Sequence, residues 1–250
     1  LSLTPPHPAA TLILLREPNE GPPELLMIQR AATMGFGAGA WVFPGGRVDP
    51  GDVTLAARFL PANDALDDHA ARICAIRETI EEVGLALGLD PPPDPATLAA
   101  VRAGLHAGEP FAGLLDRFGL SLVPDALLHF SRWCPPAEIS RRFDTRFYLA
   151  RLHGDAKAEP DGRETVALLW TTPRAMLDRA DARIMFPTAC NLRRLLPHRS
   201  FAEAEADAAA FPAATIVTRS VDIGGERFVQ IDAGHGYPET RSPLAGLFRG

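Results

Sequence analysis

Two apolar runs open the chain, Thr11-Leu12-Ile13-Leu14-Leu15 and Leu25-Leu26-Met27-Ile28, separated by a polar stretch from Glu17 to Pro23. Their length and flanks predict strands over residues 9–15 and 24–30 joined by a turn. A third short strand over 41–43 leads into a Gly45-Gly46 loop, and residues 50–63 read as an inserted loop. The spacing then changes to the helical period, predicting a helix that Asn63 or Asp64 could cap. It runs to about Leu87 and is ended by Gly88, since glycine suits the left-handed position after a helix. Pro91-Pro92-Pro93 and Pro95 make a stiff turn. Helical segments follow over 96–106 and 110–118, then strands over 127–133, 145–152 and 165–170. Pro173 starts a further helix. Residues 187–195 and 201–210 are helical in pattern, and 214–218 and 227–231 are late strands. The chain contains no repeat and no interior linker, so residues 1–250 are expected to form one domain.

The segment Arg77-Glu78-Thr79-Ile80-Glu81-Glu82-Val83-Gly84-Leu85 carries the chemistry. With Glu78 at the origin of a helical wheel, Glu81 falls at about 300° and Glu82 at about 40°. Ile73, Ile76, Ile80 and Val83 fall between about 140° and about 220°, on the opposite face. A solvated face would place cations three or four residues from such acids. Arg77, four before Glu81, is the one cation at those offsets. Two readings stay open from spacing alone: an exposed acidic face, or a cluster that holds a hard divalent cation through oxygen ligands.

Other candidates change the picture less. Gly35-Phe36-Gly37-Ala38-Gly39 lacks dinucleotide-loop spacing and leads into a strand, so it is rejected as one. No Gly-x-x-x-x-Gly-Lys loop and no Gly-x-Ser-x-Gly elbow exists. The seven histidines lack zinc-ligand spacing. His69 falls on the apolar face and reads as packed or capping rather than as a base. Asp67 falls on the carboxylate face. Trp133 and Trp170 read as core aromatics rather than base-stacking platforms. Arg132, Arg141, Arg142 and Arg146 are the densest basic group, able to grip phosphate by bidentate contacts or to be ordinary surface arginines.

Arg-Glu-x-x-Glu-Glu-x-Gly-Leu resembles the second half of the Nudix box, the signature of hydrolases that cleave nucleoside diphosphates linked to another group. That pattern runs Gly, five residues, Glu, seven residues, Arg-Glu, an aliphatic residue, any residue, Glu-Glu, any residue, Gly and an aliphatic residue. Thr79 stands at an aliphatic position. Counting back from Arg77 puts His69 at the first Glu and Asn63 at the Gly. The matching glycine is instead Gly45 or Gly46, and from Gly46 to Arg77 is 31 positions, implying an insertion of about seventeen residues. Upstream, Leu26 to Ala31, Gly39 and Phe43-Pro44-Gly45-Gly46 are similar to the extra motif of Nudix enzymes that hydrolyse coenzyme A. Gly35 there replaces an Arg, and Ile28 a Thr. His129 to Pro136 and Arg142 to Ala150 look like the subgroup containing acyl-CoA diphosphatases.

The resemblance covers roughly residues 8–210 and implies a Nudix α/β/α sandwich with a mixed β-sheet and added helical segments. The additions are an insertion at about 47–64, a helical addition at about 95–120 and a C-terminal extension at about 187–250. It implies Mg²⁺ or Mn²⁺ held by Glu78, Glu81, Glu82 and a backbone carbonyl near Gly45 or Gly46. Glu78, Arg77 and Glu164 take catalytic roles: Arg77 orients the glutamates, and Glu164 either approaches the metal site or activates water, or is an exposed loop acid. Arg30, Arg132, Arg142 and Arg146 are the substrate-binding candidates. The implied reaction is hydrolysis of CoA or acyl-CoA to adenosine 3′,5′-bisphosphate and (acyl-)phosphopantetheine. The alternatives are an ADP-ribose or NADH-type pyrophosphatase, or a non-catalytic ligand sensor favoured by the missing first-box Glu.

A net charge of −6 argues against a broad nucleic-acid surface. No apolar run approaches the length of a membrane span. Cys74, Cys134 and Cys190 lie far apart, which fits reduced thiols in a cytoplasmic protein. The chain starts at Leu1 rather than Met, so a segment before it is not excluded. The expected partner is a small nucleotide substrate, with a homodimer left open.

Overall fold

The structure is a computed structural model. It describes residues 5–35, 37–59, 64–136, 142–154, 156–211 and 214–243. In chain order the first elements are β1 (His7–Arg16), β2 (Glu24–Arg30), β3 (Trp41–Val42), β4 (Gly45–Arg47), α1 (Pro50–Ala56) and α2 (Asp64–Val83). Next come β5 (Leu89–Asp90), α3 (Pro95–His106), α4 (Phe111–Phe118), β6 (Ser121–Leu122), β7 (Leu128–Cys134), β8 (Phe143–Arg151) and β9 (Thr165–Thr171). The chain continues with α5 (Pro173–Leu177), α6 (Phe186–Leu195), α7 (Phe201–Ala210), β10 (Thr215–Val217), β11 (Arg219–Ile223), β12 (Glu226–Gln230) and β13 (Arg241–Pro243).

One mixed sheet organises the molecule, with strand order β10-β7-β8-β1-β2-β3, β4 paired to β1 and β9 to β2. β1 runs parallel to β8 from His7 opposite Phe143 to Leu15 opposite Arg151. Its other edge is shared. β2 pairs with it at Leu15 and Arg16, while β4 takes residues 9–11. This splay brings Gly45 and Gly46 into the middle of the sheet.

Both faces of the sheet are covered, which is why its central strands read as unbroken apolar runs. Side chains alternate across a strand. Leu12, Leu14, Leu26, Ile28, Tyr148 and Ala150 pack under α2 with Ile73, Ile76, Ile80 and Val83. Ile13, Leu15, Leu25, Met27, Phe147 and Leu149 pack on the other side against α5–α7. The α/β/α sandwich with a mixed sheet is therefore the architecture observed, with α3–α4 added beside α2. Trp133 is buried, its indole N–H 3.2 Å from both Ser131 Oγ and Tyr237 Oη. Trp170 is half-buried under the Arg16 guanidinium.

Several expected boundaries shift. The inserted loop begins as helix α1, with Pro50 at its first position. The Gly45-Gly46 loop is strand β4. α2 stops at Val83, because Gly84 takes the left-handed turn (φ 68°) one turn earlier than Gly88. A separate sheet β11-β12-β13 forms late in the chain, of which only the middle strand is anticipated by pattern. Asn63 and Arg141 lie outside the described residues, as does the side chain of Asp64. No described helix is long and apolar enough to cross a membrane.

The N-terminal half of α2 meets β7 and β8 through a polar knot. Tyr148 Oη donates to Asp68 Oδ1 at 2.8 Å, and Arg72 Nε to Asp68 Oδ2 at 2.7 Å. His129 stacks edge-on to Tyr148. Burial first, and then the cations Arg72, Arg146 and Arg132, push His129 down to about 4, with Asp68 opposing. The unfolded chain takes up this proton near pH 6.5 and the folded chain only near pH 4. Stability from His129 is therefore present above pH 6.5 and lost as pH falls through that window. Urea titrations from pH 7 to pH 4 are expected to show falling stability, with a shallower fall in His129→Gln; equal slopes in the two proteins contradict this assignment.

Candidate active site

The carboxylate face of α2 is partly covered, from buried Glu82 to half-buried Glu78 and Glu81. Glu82 is 4% exposed, and Glu78 and Glu81 keep 17% and 32% of their side chains exposed. β4 lies across them. Gly45 N–H donates to Glu82 Oε2 at 2.8 Å. A Cβ on Gly46 would meet the Glu78 carboxylate at 2.4 Å, and one on Gly45 would meet Ala10 O at 2.3 Å. Gly45 must be glycine, since the atoms in the way are β1 backbone and its φ is 153°, while a side chain at Gly46 would displace the Glu78 carboxylate.

Arg77 is the cation at the centre. Its Nε and Nη2 grip Asp52 Oδ1 and Oδ2 at 3.0 and 2.9 Å, a bidentate pair. Nη2 also donates to Arg47 O at 3.1 Å. Nη1 donates to Glu78 Oε1 at 2.8 Å and lies 3.5 Å from Glu81 Oε2. Asp52 is 2% exposed and accepts the Asp49 N–H as well. Burial opposes the Arg77 charge, but the Asp52 bond and the Glu78 and Asp52 charges raise its pKa further above the ordinary value.

Asp52 is the acid that sequence reasoning missed. Counting back from Arg77 put His69 in the first-box position. Counting forward six from Gly46 reaches Asp52, with the family's own five-residue spacing and Asp for Glu. The insertion lies after this acid rather than before it, so the first-box carboxylate is not missing. Asp67 is exposed, and its charge acts on Arg132.

Burial pushes Glu78 up to about 7, with Arg77 pulling down and Glu81 pushing up. Glu82 is held well above its ordinary value by burial and then by Glu78, while Gly45 N–H and Arg30 oppose and Glu164 adds to the rise. The Arg30 and Glu164 charges therefore act on Glu82; Glu164 itself is an exposed loop acid, and its carbonyl accepts the Ala31 N–H at 2.8 Å. The remaining arginines are elsewhere. Arg132 is paired in a fork with Asp144. Arg146 is buried with its Nε 4.0 Å from Asp68 Oδ1. Asp68 is ten residues before Glu78, or about 15 Å along the helix. Arg142 precedes β8, where its carbonyl accepts the His7 N–H. The four substrate-binding candidates do not form one cluster, and Arg132 and Arg146 must leave an ion pair to take a phosphate.

Among the described residues, no group of three or more His, Cys, Asp or Glu side chains is placed so that it could hold a metal ion by itself. What fits a hard divalent ion is the donor type. The α2 face offers carboxylate oxygens, and Mg²⁺ keeps waters and substrate phosphates in its shell rather than demanding an all-protein cage. Burial raises both Glu78 and Glu82, and neighbouring carboxylates add to it, Glu81 and Asp52 at Glu78 and Glu78 and Glu164 at Glu82; a bound cation would offset those charges.

A sequence profile of the NUDT19 Nudix domain matches residues 56–195. Acyl-coenzyme A diphosphatase NUDT19 of Gallus gallus is 32% identical over 212 residues, covering 62% of this chain and 56% of that protein. The Homo sapiens protein of the same name is 32% identical over 214 residues, with the same coverage. The chain thus spans little more than half the length of these relatives. The crystal structure of a NUDIX hydrolase from Alicyclobacillus acidocaldarius superposes with a TM-score of 0.71 at 31% identity, covering 82% of this chain and 97% of that one.

Removing Asp52 takes from the buried Arg77 its bidentate partner and leaves it only Glu78, Glu81 and the Arg47 carbonyl. Asp52→Ala is expected to cost about 3–5 kcal/mol of unfolding free energy, measured by chemical denaturation. A loss below about 1 kcal/mol, the range of exposed pairs, contradicts the buried role given to Asp52.

Proposed function

The chain belongs to the Nudix hydrolase family, and from that premise we propose that it hydrolyses the diphosphate bond of coenzyme A or an acyl-coenzyme A. The products are adenosine 3′,5′-bisphosphate and (acyl-)phosphopantetheine. The observation that carries the reading is the packing of Glu78, Glu81 and Glu82 on one partly covered helix face, with Arg77 fixed between them and Asp52. The names of the two relatives support the substrate class. The filled first-box position at Asp52 removes the ground for a non-catalytic sensor.

Each residue has a role under this reading. Glu78, Glu81 and Glu82 would hold Mg²⁺ or Mn²⁺, with a main-chain oxygen of the Gly45-Gly46 strand. A divalent cation there would neutralise diphosphate charge and make water more acidic. Arg77 keeps Glu78 and Glu81 turned toward one another. Glu164, whose charge acts on Glu82, accepts the proton of the attacking water. Arg30 takes a phosphate oxygen. Arg132, Arg142 and Arg146 are assigned to the outer, 3′-phosphate-bearing part of the substrate. The three unpaired cysteines, two of them buried, support a reducing cytoplasmic setting.

Chromatography of products from CoA, acyl-CoAs, ADP-ribose and NADH with Mg²⁺ or Mn²⁺ tests the reading. Preferred release of adenosine 3′,5′-bisphosphate is expected. Preference for ADP-ribose or NADH discards the CoA assignment. Glu81→Gln and Glu82→Gln are expected to lower kcat by ~10²-fold or more while the protein stays folded; wild-type turnover in either variant removes the carboxylates from the mechanism.

A further inference from the structure

An α-helix leaves its last four carbonyls without intrahelical partners. In α2 these belong to Ile80, Glu81, Glu82 and Val83, so two of the four are the main-chain oxygens of proposed metal ligands. The Ile80 carbonyl is taken by Gly84 N–H and the Val83 carbonyl by Glu159 N–H, at 3.0 and 2.9 Å. The other two are taken by side chains from the helical addition. Arg102 Nε donates to Glu81 O and Arg102 Nη2 to Glu82 O, both at 3.0 Å. His106, one turn further along α3, meets Glu81 O at 3.0 Å with its Nε2, donating in the tautomer protonated there.

Arg102 also reaches a third element. Its Nη2 donates to Glu159 O at 2.8 Å, in the segment leading to β9. Asp161 N–H donates to Glu82 O at 3.1 Å. The Asp161 carboxylate accepts the N–H groups of Arg163, Glu164 and Thr165. Arg163 Nη1 returns to His106 O at 3.2 Å. One guanidinium thus ties the end of the carboxylate helix to the turn that presents Glu164. Gly84 makes room for it: a Cβ there would meet Arg102 Nη1 at 3.0 Å. A cation at this place also suits the negative end of the helix dipole.

We propose that Arg102, supported by His106, is a positioning residue for the hydrolytic site: its guanidinium, bound to the carbonyls of Glu81, Glu82 and Glu159, fixes the separation between the cation-holding glutamates and Glu164. The role rests on the function proposed above. It makes the α3 addition part of the catalytic apparatus without any contact to substrate. Lysine cannot reproduce it, since an ammonium is a single point donor where the guanidinium spreads its N–H groups in a fork.

The test uses the full chain and the variants Arg102→Ala, Arg102→Lys and His106→Gln. Arg117→Met, on α4 and paired with Glu109 away from α2, is the control. Three quantities are measured: kcat and KM for CoA hydrolysis, Mn²⁺ affinity without substrate from the free-ion electron paramagnetic resonance signal, and the thermal midpoint. Arg102→Ala is expected to lower kcat by ~10–100-fold, the scale of a misplacement near one ångström, with KM nearly unchanged. Mn²⁺ affinity falls in the same variant, guanidinium ion below denaturing concentration restores part of kcat, and Arg102→Lys is intermediate. The control matches wild type. The proposal is overturned if folded Arg102→Ala keeps wild-type kcat and Mn²⁺ affinity. Losses that track only the unfolded fraction, without guanidinium rescue, also overturn it. Should Arg102→Ala not fold, wild-type kcat and Mn²⁺ affinity in Arg102→Lys overturn it as well. If wild type hydrolyses nothing on the panel, the functional reading fails by itself, and the Mn²⁺ affinities of variant and wild type still decide whether Arg102 positions the glutamates.

Discussion

The bidentate contact between Arg77 and Asp52 is the constraint on which the site depends. Both groups are nearly withdrawn from water, so each needs the other to offset its desolvation. The pair does more than cancel charge. Asp52 uses both oxygens on Nε and Nη2, which leaves Nη1 aimed at Glu78 and Glu81. The same guanidinium binds Arg47 O, at the end of the glycine strand. One side chain thereby joins β4, α1 and α2, and two half-buried glutamates share a single cation. What remains is an excess of negative charge beside the two glycines of β4.

The framework was legible because it follows periodicity. The apolar runs of β1 and β2 and the aliphatic stripe Ile73, Ile76, Ile80 and Val83 of α2 mark buried surfaces directly, and all four stripe residues are fully buried. Element ends were less legible. Gly84 and Gly88 both take positive φ, and pattern alone cannot say which of two glycines one turn apart ends a helix. α1 was hidden because Pro50-Gly51 reads as a turn, although proline at the first helical position is equally at home. The separate late sheet was visible only in its middle strand, whose neighbours are short and largely exposed.

Within the site, the acids on α2 were legible and their partners were not. Asp52 lies one box spacing after Gly46, but the insertion separates it from Arg77, so the spacing counted from the helix does not reach it. Arg102 leaves no signal of this kind, since it binds backbone oxygens and any sequence can supply those. The arginine group misled in the opposite way. Arg132 and Arg146 are close in sequence because β7 and β8 are adjacent antiparallel strands, where they stand in register. Both face charges of their own, Asp144 and Asp68, at the far half of α2 from Glu82.

The divided box also has a physical explanation. Gly46 and Asp52 must keep their spacing, because the strand and the first turn of α1 carry the acid from Glu78 to Arg77. Arg77 and the glutamates must keep theirs, because they share one helix. The chain between Asp52 and Arg77 completes α1 and supplies the first turns of α2, where Ile73 and Ile76 are buried and Arg72 pairs with Asp68. Added length there is taken up as helix outside the Gly46–Asp52 and Arg77–Glu82 spacings, and the Arg77–Asp52 pair ties α1 to α2. The insertion therefore falls at the one point of the motif where added length leaves every contact of the site intact.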